Sequence, residues 1–517
     1  MNRKNSGSVL AIGIDAAEST LVLELMRQGK MPALARLTKQ GKWLRIDSPA
    51  HIGSGAVWPT FLTGEEPSTH GIYGEWRWNP QAMNLTRYNG RNLRPFWKEL
   101  ADDNLTVGIL DVPFAPPVGL KRGFEILEWG AHDRAEGRMQ ITPDAVAEWV
   151  TKEFSTHPFS TKRLEVTGPD DDDGLTKLTD ACLHGVKLRG ALAQALLTKY
   201  QPDLSIIIFP EIHQSGHSLW HTVAPQDELY KSEAFKAPRA FNRSLEEIYS
   251  EVDRQVGTLI DTAGDQAAVV VFSLHGMQPI RGLPAFLPAL LREHGFAHLA
   301  GWKTKSWRER AVSFMAAAKR RAPSGLRRLY YSAFSRNTTS WLAQPTMLPV
   351  YDWSRTRAFS LPTDQHGVIR INLAGRESEG IVPLGQYREL CQQLRDLFLG
   401  LVTEDGEPVV REVILTAAGA HDPLQQPIPD LIVHWHKGAF AEGAKIKNSK
   451  VRISGEAKRL TGHHAFEGFC ILRDAQDIQR DSLRAKEMHS LIREMISKTR
   501  AVGSTVAVGP SQTHRSE

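Results

Sequence analysis

Several histidines lie just after short apolar runs that are typical of buried parallel strands. His213 and His217 follow the first of these runs, and His275 follows the second. Far downstream, His464 lies in a Gly-His-His-Ala-Phe-Glu-Gly segment. Open α/β sheets place their ligand sites at the carboxyl ends of the strands, and imidazole is a common metal ligand. The sequence therefore predicts a metal site of the kind that a metal-dependent hydrolase uses.

Strand-like and helix-like segments alternate along much of the chain. A buried strand is predicted over residues 9–14, directly before Asp15, and helical periodicity follows over residues 18–40. Further strands are predicted at 106–111, 204–210, 267–273 and 429–435. This alternation predicts an α/β fold with a doubly wound, mostly parallel sheet and helices on both faces.

Two stretches break the alternation and are predicted to be insertions. Residues 75–185 are rich in Trp, Pro, Gly and charges, and residues 302–345 carry many Lys and Arg among aromatic residues. Their charges are either solvated on the surface or part of a cap whose cations recognise an anionic substrate. The small, polar residues 501–517 predict a disordered tail. The metallohydrolase core would then comprise residues 1–74, 186–301 and 346–500.

The composition is that of an ordinary globular protein. Apolar residues make up 41% and charged residues 23% of the 517 residues, and the net charge of +5 does not favour nucleic acid as a partner. The three cysteines have no paired spacing, which fits a reducing compartment. The N-terminus does not resemble a signal peptide, and no apolar stretch approaches the roughly 20 residues of a membrane span. A cytoplasmic location without membrane attachment is therefore expected, while the oligomeric state is not predicted.

The segment 48–72 carries a family resemblance. Thr63 opens a Thr-Gly-x-x-Pro-x-x-His-Gly-Ile sequence, and Ser54 lies nine residues earlier, between two glycines. This pattern resembles the nucleophile segment of the type I phosphodiesterase/nucleotide pyrophosphatase family, within the alkaline phosphatase superfamily. The resemblance implies an alkaline-phosphatase-like fold and a nucleophilic Ser54, at a helix start that favours anions and between glycines that would admit a phosphoryl group. An ordinary helix N-cap is the alternative role for Ser54.

Other segments resemble the family in the same order along nearly the whole chain. Asp15 matches a metal-binding aspartate of the superfamily, and His217 ends a segment similar to the family's acidic-x-Asp-x-x-x-His block. The Ser-Leu-His-Gly sequence around His275 is similar to a Ser-Asp-His-Gly block, and His464 matches the last metal-binding histidine. The resemblance thus implies a metal-binding set of Asp15, His213, His217, His275 and His464.

Two positions depart from the family pattern. His213 stands where the first site has an aspartate, so that site would consist of His213, His217 and His464, which suits Zn²⁺ but also permits Mn²⁺ or Fe. Leu274 stands where the second site has an aspartate and cannot bind a metal. Only Asp15, His275 and the Ser54 oxygen would remain there. We expect one tightly bound ion and a weak or absent second ion.

The resemblance implies phosphoryl transfer to Ser54 from a small, anionic, phosphorylated substrate, followed by hydrolysis of the phospho-serine. Cations such as Arg91 or those of 302–328 would stabilise charge in the transition state. The primary interpretation is a metal-dependent hydrolase of phosphodiesters, pyrophosphates or phosphomonoesters.

Two alternatives to this interpretation stay open. A sulfatase or phosphonate hydrolase of the same fold is one, although the sequence after Ser54 lacks the arginine of the sulfatase Cys/Ser-x-Pro/Ala-x-Arg pattern. A catalytically weakened homologue that binds an anionic ligand is the other. Leu274 supports the weakened homologue, whereas the retention of Ser54 and Asp15 speaks against it.

Overall fold

The computed structural model of the chain describes residues 7–88, 90, 92–134, 137–161, 171–231, 241–280, 284–301, 307, 310–311, 314–315, 344–363, 366–417, 422–436, 445–453, 460–475 and 478–506. The strands are β1 (Val9–Ile14), β2 (Gly41–Asp47), β3 (Trp76–Asn79), β4 (Asn84–Arg87), β5 (Val107–Leu110), β6 (Gly123–Leu127), β7 (Gln140–Thr142), β8 (Leu204–Phe209), β9 (Ala268–Ser273), β10 (Met277–Pro279), β11 (Ala358–Ser360), β12 (Gly367–Ile371), β13 (Val410–Leu415), β14 (Leu431–Trp435), β15 (Gly462–His464), β16 (Glu467–Arg473) and β17 (Ser482–Arg484).

The helices are α1 (Ser19–Arg27), α2 (Pro32–Gln40), α3 (Val57–Thr63), α4 (Pro67–His70), α5 (Trp97–Asp102), α6 (Asp144–Glu153), α7 (Pro158–Thr161), α8 (Asp172–Tyr200), α9 (Glu211–Leu219), α10 (Glu228–Lys231), α11 (Glu246–Ala263), α12 (Leu287–Glu293), α13 (Tyr387–Leu399) and α14 (Glu487–Val506). None of the helices among the described residues is both long and apolar enough to span a bilayer.

A large mixed sheet forms the centre of the molecule. Its nine strands lie in the order β17-β2-β16-β9-β1-β8-β5-β6-β7. The five central strands, from β9 to β6, are all parallel to one another, whereas β16 and β7 are antiparallel to their neighbours. The prediction of a doubly wound, mostly parallel sheet is confirmed.

Hydrophobic residues on both faces of the sheet hold it between two helical layers. All residues of β1 are buried, and alternate side chains point to opposite faces because strand side chains have a period of two. Ile12 packs in a cluster with Leu192 of α8 and Val252 of α11. Ala11 packs in a second cluster with Phe61 of α3. A strand covered on both faces needs apolar residues throughout, which explains the continuous apolar runs in the sequence.

A smaller antiparallel sheet packs around its own core. Its four strands lie in the order β11-β12-β14-β13, and residues such as Phe359, Val433 and Leu394 of α13 share one hydrophobic cluster. The strand predicted at 429–435 is therefore real, but its predicted place in the parallel sheet was wrong. A short apolar run indicates a buried strand without indicating which sheet it joins.

The structure differs from the predicted bounds of the first insertion and from the predicted start of the disordered tail. Residues 75–185 do not form one cap, because β5, β6 and β7 extend the main sheet and α8 already begins at Asp172. These strands have only three to five residues each, so the Trp, Pro and Gly of their connections dominated the composition. Helix α14 continues to Val506, so the disordered tail predicted from 501 is wrong for its first six residues. The predicted tail beyond 506 and most of the predicted basic insertion 302–345 lie outside the described residues, as does Arg91.

Candidate active site and metal centre

The predicted metal-binding residues come together at the carboxyl ends of β1, β8 and β9. Asp15 follows β1, His275 follows β9, and helix α9 begins two residues after β8 with His213 and His217 one turn apart. Residues at this spacing share one face of a helix, and the two ring centroids are 5.1 Å apart. Because these strands are parallel neighbours, their ends converge on one edge of the sheet.

His464 reaches the same cluster from β15. Its Nε2 lies 2.8 Å from Nε2 of His213. Its ring centroid lies 5.0 Å from those of both His217 and His275. Five of the six residues predicted for the site, Asp15 and the four histidines, therefore lie in one buried cluster.

Asp15 is held as a buried carboxylate. It is 1% exposed, and its Oδ2 lies 2.7 Å from Nδ1 of His213 while its Oδ1 accepts a hydrogen bond of 3.1 Å from the Trp58 indole. Burial raises the pKa of Asp15, but His213 and His275 outweigh burial, and the net pKa lies below the usual range. The carboxylate thus carries a negative charge beside the histidine rings.

Two histidine rings of the cluster, His217 and His464, are held neutral. Burial lowers the pKa of His217 and of His464 well below the usual range, and the neighbouring His213 acts in the same direction. The His217 Nδ1 lies 3.1 Å from the carbonyl oxygen of Gly462. Because a carbonyl can only accept, Nδ1 donates and Nε2 of the neutral ring carries the lone pair that could bind a metal.

A histidine that the sequence analysis did not single out belongs to the cluster. His132 lies after β6, and its ring centroid is 4.1 Å from that of His213 and 5.8 Å from that of His217. The run Phe124–Leu127 before it is buried, so the pattern of a strand followed by a histidine is present here too. The intervening residues Glu128 to Ala131 weaken this pattern, because they place His132 further from its strand than His213 and His275 are from theirs.

The ligand atoms of the histidines converge in two triads that share His213. Within the described residues, these are His132–His213–His217 and His213–His275–His464, and in each the ligand atoms lie within 4.8 Å of one another. Three imidazoles next to one carboxylate suit Zn²⁺ and similar ions, so the donor set fits the metal that the resemblance implied. The predicted division placed His464 with His217, and His275 with Asp15 and Ser54. In the structure His464 groups with His275, and the His275 Nδ1 lies 3.9 Å from Oδ1 of Asp15.

Leu274, at the position of the expected second-site aspartate, and its neighbour Ser273 have structural roles. Leu274 is 1% exposed and packs in the hydrophobic cluster beneath α3. The Ser273 hydroxyl donates to the backbone oxygen of His275 at 2.8 Å. Neither supplies the missing carboxylate.

Four further histidines of the sequence have contacts of their own. The His70 Nε2 lies 3.0 Å from the hydroxyl of Thr60 in α3, and His51 Nδ1 lies 2.8 Å from the Ser48 oxygen. His463 accepts a hydrogen bond from the His464 amide at 2.9 Å, and His221 lies near Thr461.

Ser54 begins a short 3₁₀ turn, Ser54–Ala56, that leads directly into α3. The capping position belongs to Gly53, so Ser54 is not an ordinary N-cap. A side chain at Gly53 or Gly55 would collide with the backbone of Tyr73 or Gly74. The glycines therefore permit a close approach of the chain to itself, and their predicted close approach to a phosphoryl group stays a prediction.

A cavity of about 420 Å³ lies in front of Ser54. Of the five clustered histidines, His132 is the one that lines this cavity, together with aromatic residues such as Tyr73, Trp76 and Phe114. The Ser54 hydroxyl and one imidazole of the histidine cluster thus line the same cavity, which has room for a small substrate.

Residues 9–466 match the family described as type I phosphodiesterase/nucleotide pyrophosphatase. The structure is similar to that of phosphonoacetate hydrolase from Sinorhizobium meliloti 1021 in complex with phosphonoformate, with 13% identity, 96% of each chain covered and a TM-score of 0.52. The same enzyme in complex with phosphonoacetate gives 13% identity, 96% coverage of each chain and a TM-score of 0.50. An inactive variant of murine ectonucleotide pyrophosphatase/phosphodiesterase 5 in complex with AMP gives 12% identity, 95% coverage of each chain and a TM-score of 0.47.

At such low identities, the likeness to phosphonoacetate hydrolase shows a shared, alkaline-phosphatase-like fold. No curated protein matches the sequence. The family match spans most of the chain, from β1 to the segment after β15, and so includes every clustered histidine and Ser54. The chain therefore belongs to the type I phosphodiesterase/nucleotide pyrophosphatase family of phosphoric ester hydrolases.

Proposed function

We propose that this chain is a metal-dependent hydrolase of phosphate esters that acts through a phospho-serine at Ser54. The observation that supports this most is the shared cavity, which Ser54 lines together with His132 of the histidine cluster. Ser54 also leads into α3, where backbone N–H groups at the start of the helical segment favour an anionic group. Membership of the family supports the reaction class.

The histidine cluster and Asp15 would hold the metal. A bound divalent ion, Zn²⁺ in the first instance, would supply Lewis-acid stabilisation of the charge that develops on the phosphoryl oxygens. Among the described residues, the carboxylate of the cluster is Asp15, and Leu274 packs in a hydrophobic cluster where an aspartate was expected. A second divalent ion would therefore have little negative charge to offset its own. We therefore expect one tightly bound ion per chain.

The chain's own residues carry the covalent steps. The Ser54 oxygen attacks phosphorus, an Oγ–P bond forms, the bond from phosphorus to the leaving oxygen breaks, and the Ser54 proton ends on that oxygen. Water then attacks the phospho-serine, its oxygen bonds to phosphorus, the Oγ–P bond breaks, and one of its protons returns to the Ser54 oxygen. The net reaction consumes one water and releases an alcohol together with phosphate from a monoester or a phosphomonoester from a diester. The cavity in front of Ser54 would bind the group carried by the ester, which makes a small phosphorylated molecule the expected substrate.

A phosphonate hydrolase is the second candidate. The similarity of fold to phosphonoacetate hydrolase, over 96% of both chains, favours it over a sulfatase. In that case the bond that breaks joins phosphorus to carbon, and the same Ser54 would not by itself distinguish the two reactions.

Turnover of a substrate panel tests the proposal. An aryl phosphodiester, an aryl phosphomonoester, phosphonoacetate and an aryl sulfate would be assayed with wild type, Ser54→Ala and the matched surface variant Ser497→Ala, each with added Zn²⁺. We expect ester hydrolysis that falls by at least about 10³-fold in Ser54→Ala, because the nucleophile is lost, and that is unchanged in Ser497→Ala.

Other outcomes separate the alternatives. Wild-type turnover in Ser54→Ala would contradict the proposal, and turnover of phosphonoacetate alone would favour the second candidate. No turnover of any substrate with Zn²⁺, Mn²⁺ or Fe²⁺ would favour a weakened homologue that only binds an anionic ligand.

A further inference from the structure

His132 is held on a fixed loop that points at the histidine cluster. Asp111, at the end of β5, accepts hydrogen bonds of 2.7 Å from the backbone N–H groups of both Trp129 and Gly130. Gln214 of α9 donates to the Gly130 oxygen at 3.0 Å. The loop before His132 is therefore tied both to the sheet and to the helix that carries His213.

A buried arginine connects these same elements. The Arg189 guanidinium donates to Asp111 at 2.7 Å and to Glu211, the first residue of α9, at 2.9 Å. All three side chains are fully buried. Since a buried ion pair is costly to break, this network fixes the loop of His132 and the start of the His213 helix relative to each other.

The geometry of the rings then points to a function for His132. Ring nitrogens of His132, His213 and His217 lie within 4.8 Å of one another. His213 faces Asp15 through Nδ1, an arrangement in which a carboxylate orients a metal-binding imidazole. A structural histidine needs no such convergence with two further imidazoles.

We infer that His132 is a metal ligand of this chain, bound with His213 and His217, and that it adds a donor to a cluster in which Leu274 supplies none. The catalytic purpose of such a ligand rests on the proposed function, whereas metal binding by His132 can be measured without any turnover. His132 also lines the cavity in front of Ser54, so an ion bound by this triad would belong to both the cluster and the cavity. Neutral imidazole donors favour Zn²⁺, Co²⁺ or Cu²⁺ over the oxygen-preferring Mg²⁺ and Mn²⁺.

Cobalt binding tests the inference without relying on turnover. Metal-free wild type, His132→Gln and the control His184→Gln, whose histidine is exposed on α8, would be titrated with Co²⁺ and followed by visible absorption. We expect His132→Gln to bind about 100-fold more weakly or worse, since the loss of one outer hydrogen bond to a ligand already costs 10–100-fold. The control should bind like wild type.

A second variant separates a ligand from a residue that only supports the fold. His132→Cys should bind Co²⁺ with a new sulfur-to-cobalt charge-transfer absorption, because a thiolate would replace the imidazole. Wild-type affinity in His132→Gln, or weakened binding without that absorption in His132→Cys, would overturn the inference. Turnover that survives Ser54→Ala would contradict the proposed function and leave these spectra unaffected, so the two failures are distinguishable.

Discussion

Two buried polar clusters in this molecule satisfy their charges in opposite ways. In the small sheet, Arg376 donates to both oxygens of Asp430 at 2.7 Å, and Arg370 and Arg376 each donate to Glu377 at 2.8 Å. Two cations thus face two anions, and the Tyr387 hydroxyl completes the set with a 2.7 Å bond to Asp430. We call this group the ionic cluster.

The histidine cluster at the carboxyl ends of β1, β8 and β9 has no such internal balance. It brings Asp15 together with five imidazoles, and Nε2 of His213 faces Nε2 of His464 at 2.8 Å. If both rings are neutral, at most one of the two facing nitrogens carries a proton, so at least one of them presents a lone pair. A bound cation would be favourable at that position. The ionic cluster therefore stabilises the small sheet with charges of its own, whereas the proposed role of the histidine cluster is to bind a metal ion.

Breaking the ionic cluster should have the largest effect on stability. Arg376→Leu would leave Asp430 buried without its bidentate partner, and we expect the free energy of unfolding to fall by about 3–5 kcal/mol. Urea denaturation measures this change, with the exposed Arg388→Leu of α13 as a control that should stay within about 0.5 kcal/mol. A loss below 1 kcal/mol in Arg376→Leu would remove the stabilising role assigned to the ionic cluster.

A substitution in the histidine cluster should act mainly through the metal. We expect His217→Gln to change the stability of the metal-free protein by about 1 kcal/mol or less, because a neutral contact is lost and no buried charge is exposed. Zn²⁺ at 100 times its dissociation constant should stabilise wild type by about 2.7 kcal/mol and His217→Gln far less. Thermal unfolding with Zn²⁺ or a chelator measures both effects, and His184→Gln is the matched control. Equal stabilisation of all three proteins by Zn²⁺ would argue against metal binding at the cluster.

Outside the histidine cluster, the ring of His70 has partners within the chain for both of its nitrogens. Its Nδ1 accepts from the Ile72 amide at 3.1 Å, so Nε2–H of the neutral ring donates to Thr60 at 3.0 Å. Burial lowers the pKa of His70 from 6.5 to about 4. Since the folded-state pKa is depressed, the neutral ring stabilises the fold above pH 6.5, and this stability is lost as pH falls toward 4.

His70→Asn tests this pH dependence, since an asparagine can accept from the Ile72 amide but does not titrate. Between pH 7.5 and pH 5, wild type should lose about 2 kcal/mol more stability than His70→Asn. Urea denaturation at a series of pH values in the presence of a chelator measures the difference. Parallel curves for the two proteins would show that His70 is not held neutral by the fold.

Much of the fold and of the candidate site could be predicted from the sequence. The apolar runs of β1, β8 and β9 are long and continuous because both faces of the sheet are covered, so they identify the strands that carry Asp15, His213 and His275. The spacing of His213 and His217 sets them on one helical face. Both features are set by residues close together in the sequence, so apolar runs and histidine spacing were sufficient to predict them.

The remaining features depend on contacts between distant segments. His132 joins the cluster through Asp111 and Gln214, which lie about 20 and 80 residues away in the sequence. The assignment of β14 to the small sheet follows from its pairing with β12 and β13, which its own residues do not specify. Burial of Leu274 likewise becomes visible only when the cluster beneath α3 is assembled.

Trapping the covalent intermediate would test the proposed role of Ser54 as the nucleophile. Wild type and Ser54→Ala would be mixed with an aryl phosphodiester and Zn²⁺, quenched in acid, and analysed by intact-mass and peptide mass spectrometry. We predict a phosphoryl adduct on the peptide that contains Ser54 in wild type and no adduct in Ser54→Ala. Hydrolysis at the wild-type rate by Ser54→Ala, without an adduct in either protein, would contradict the account.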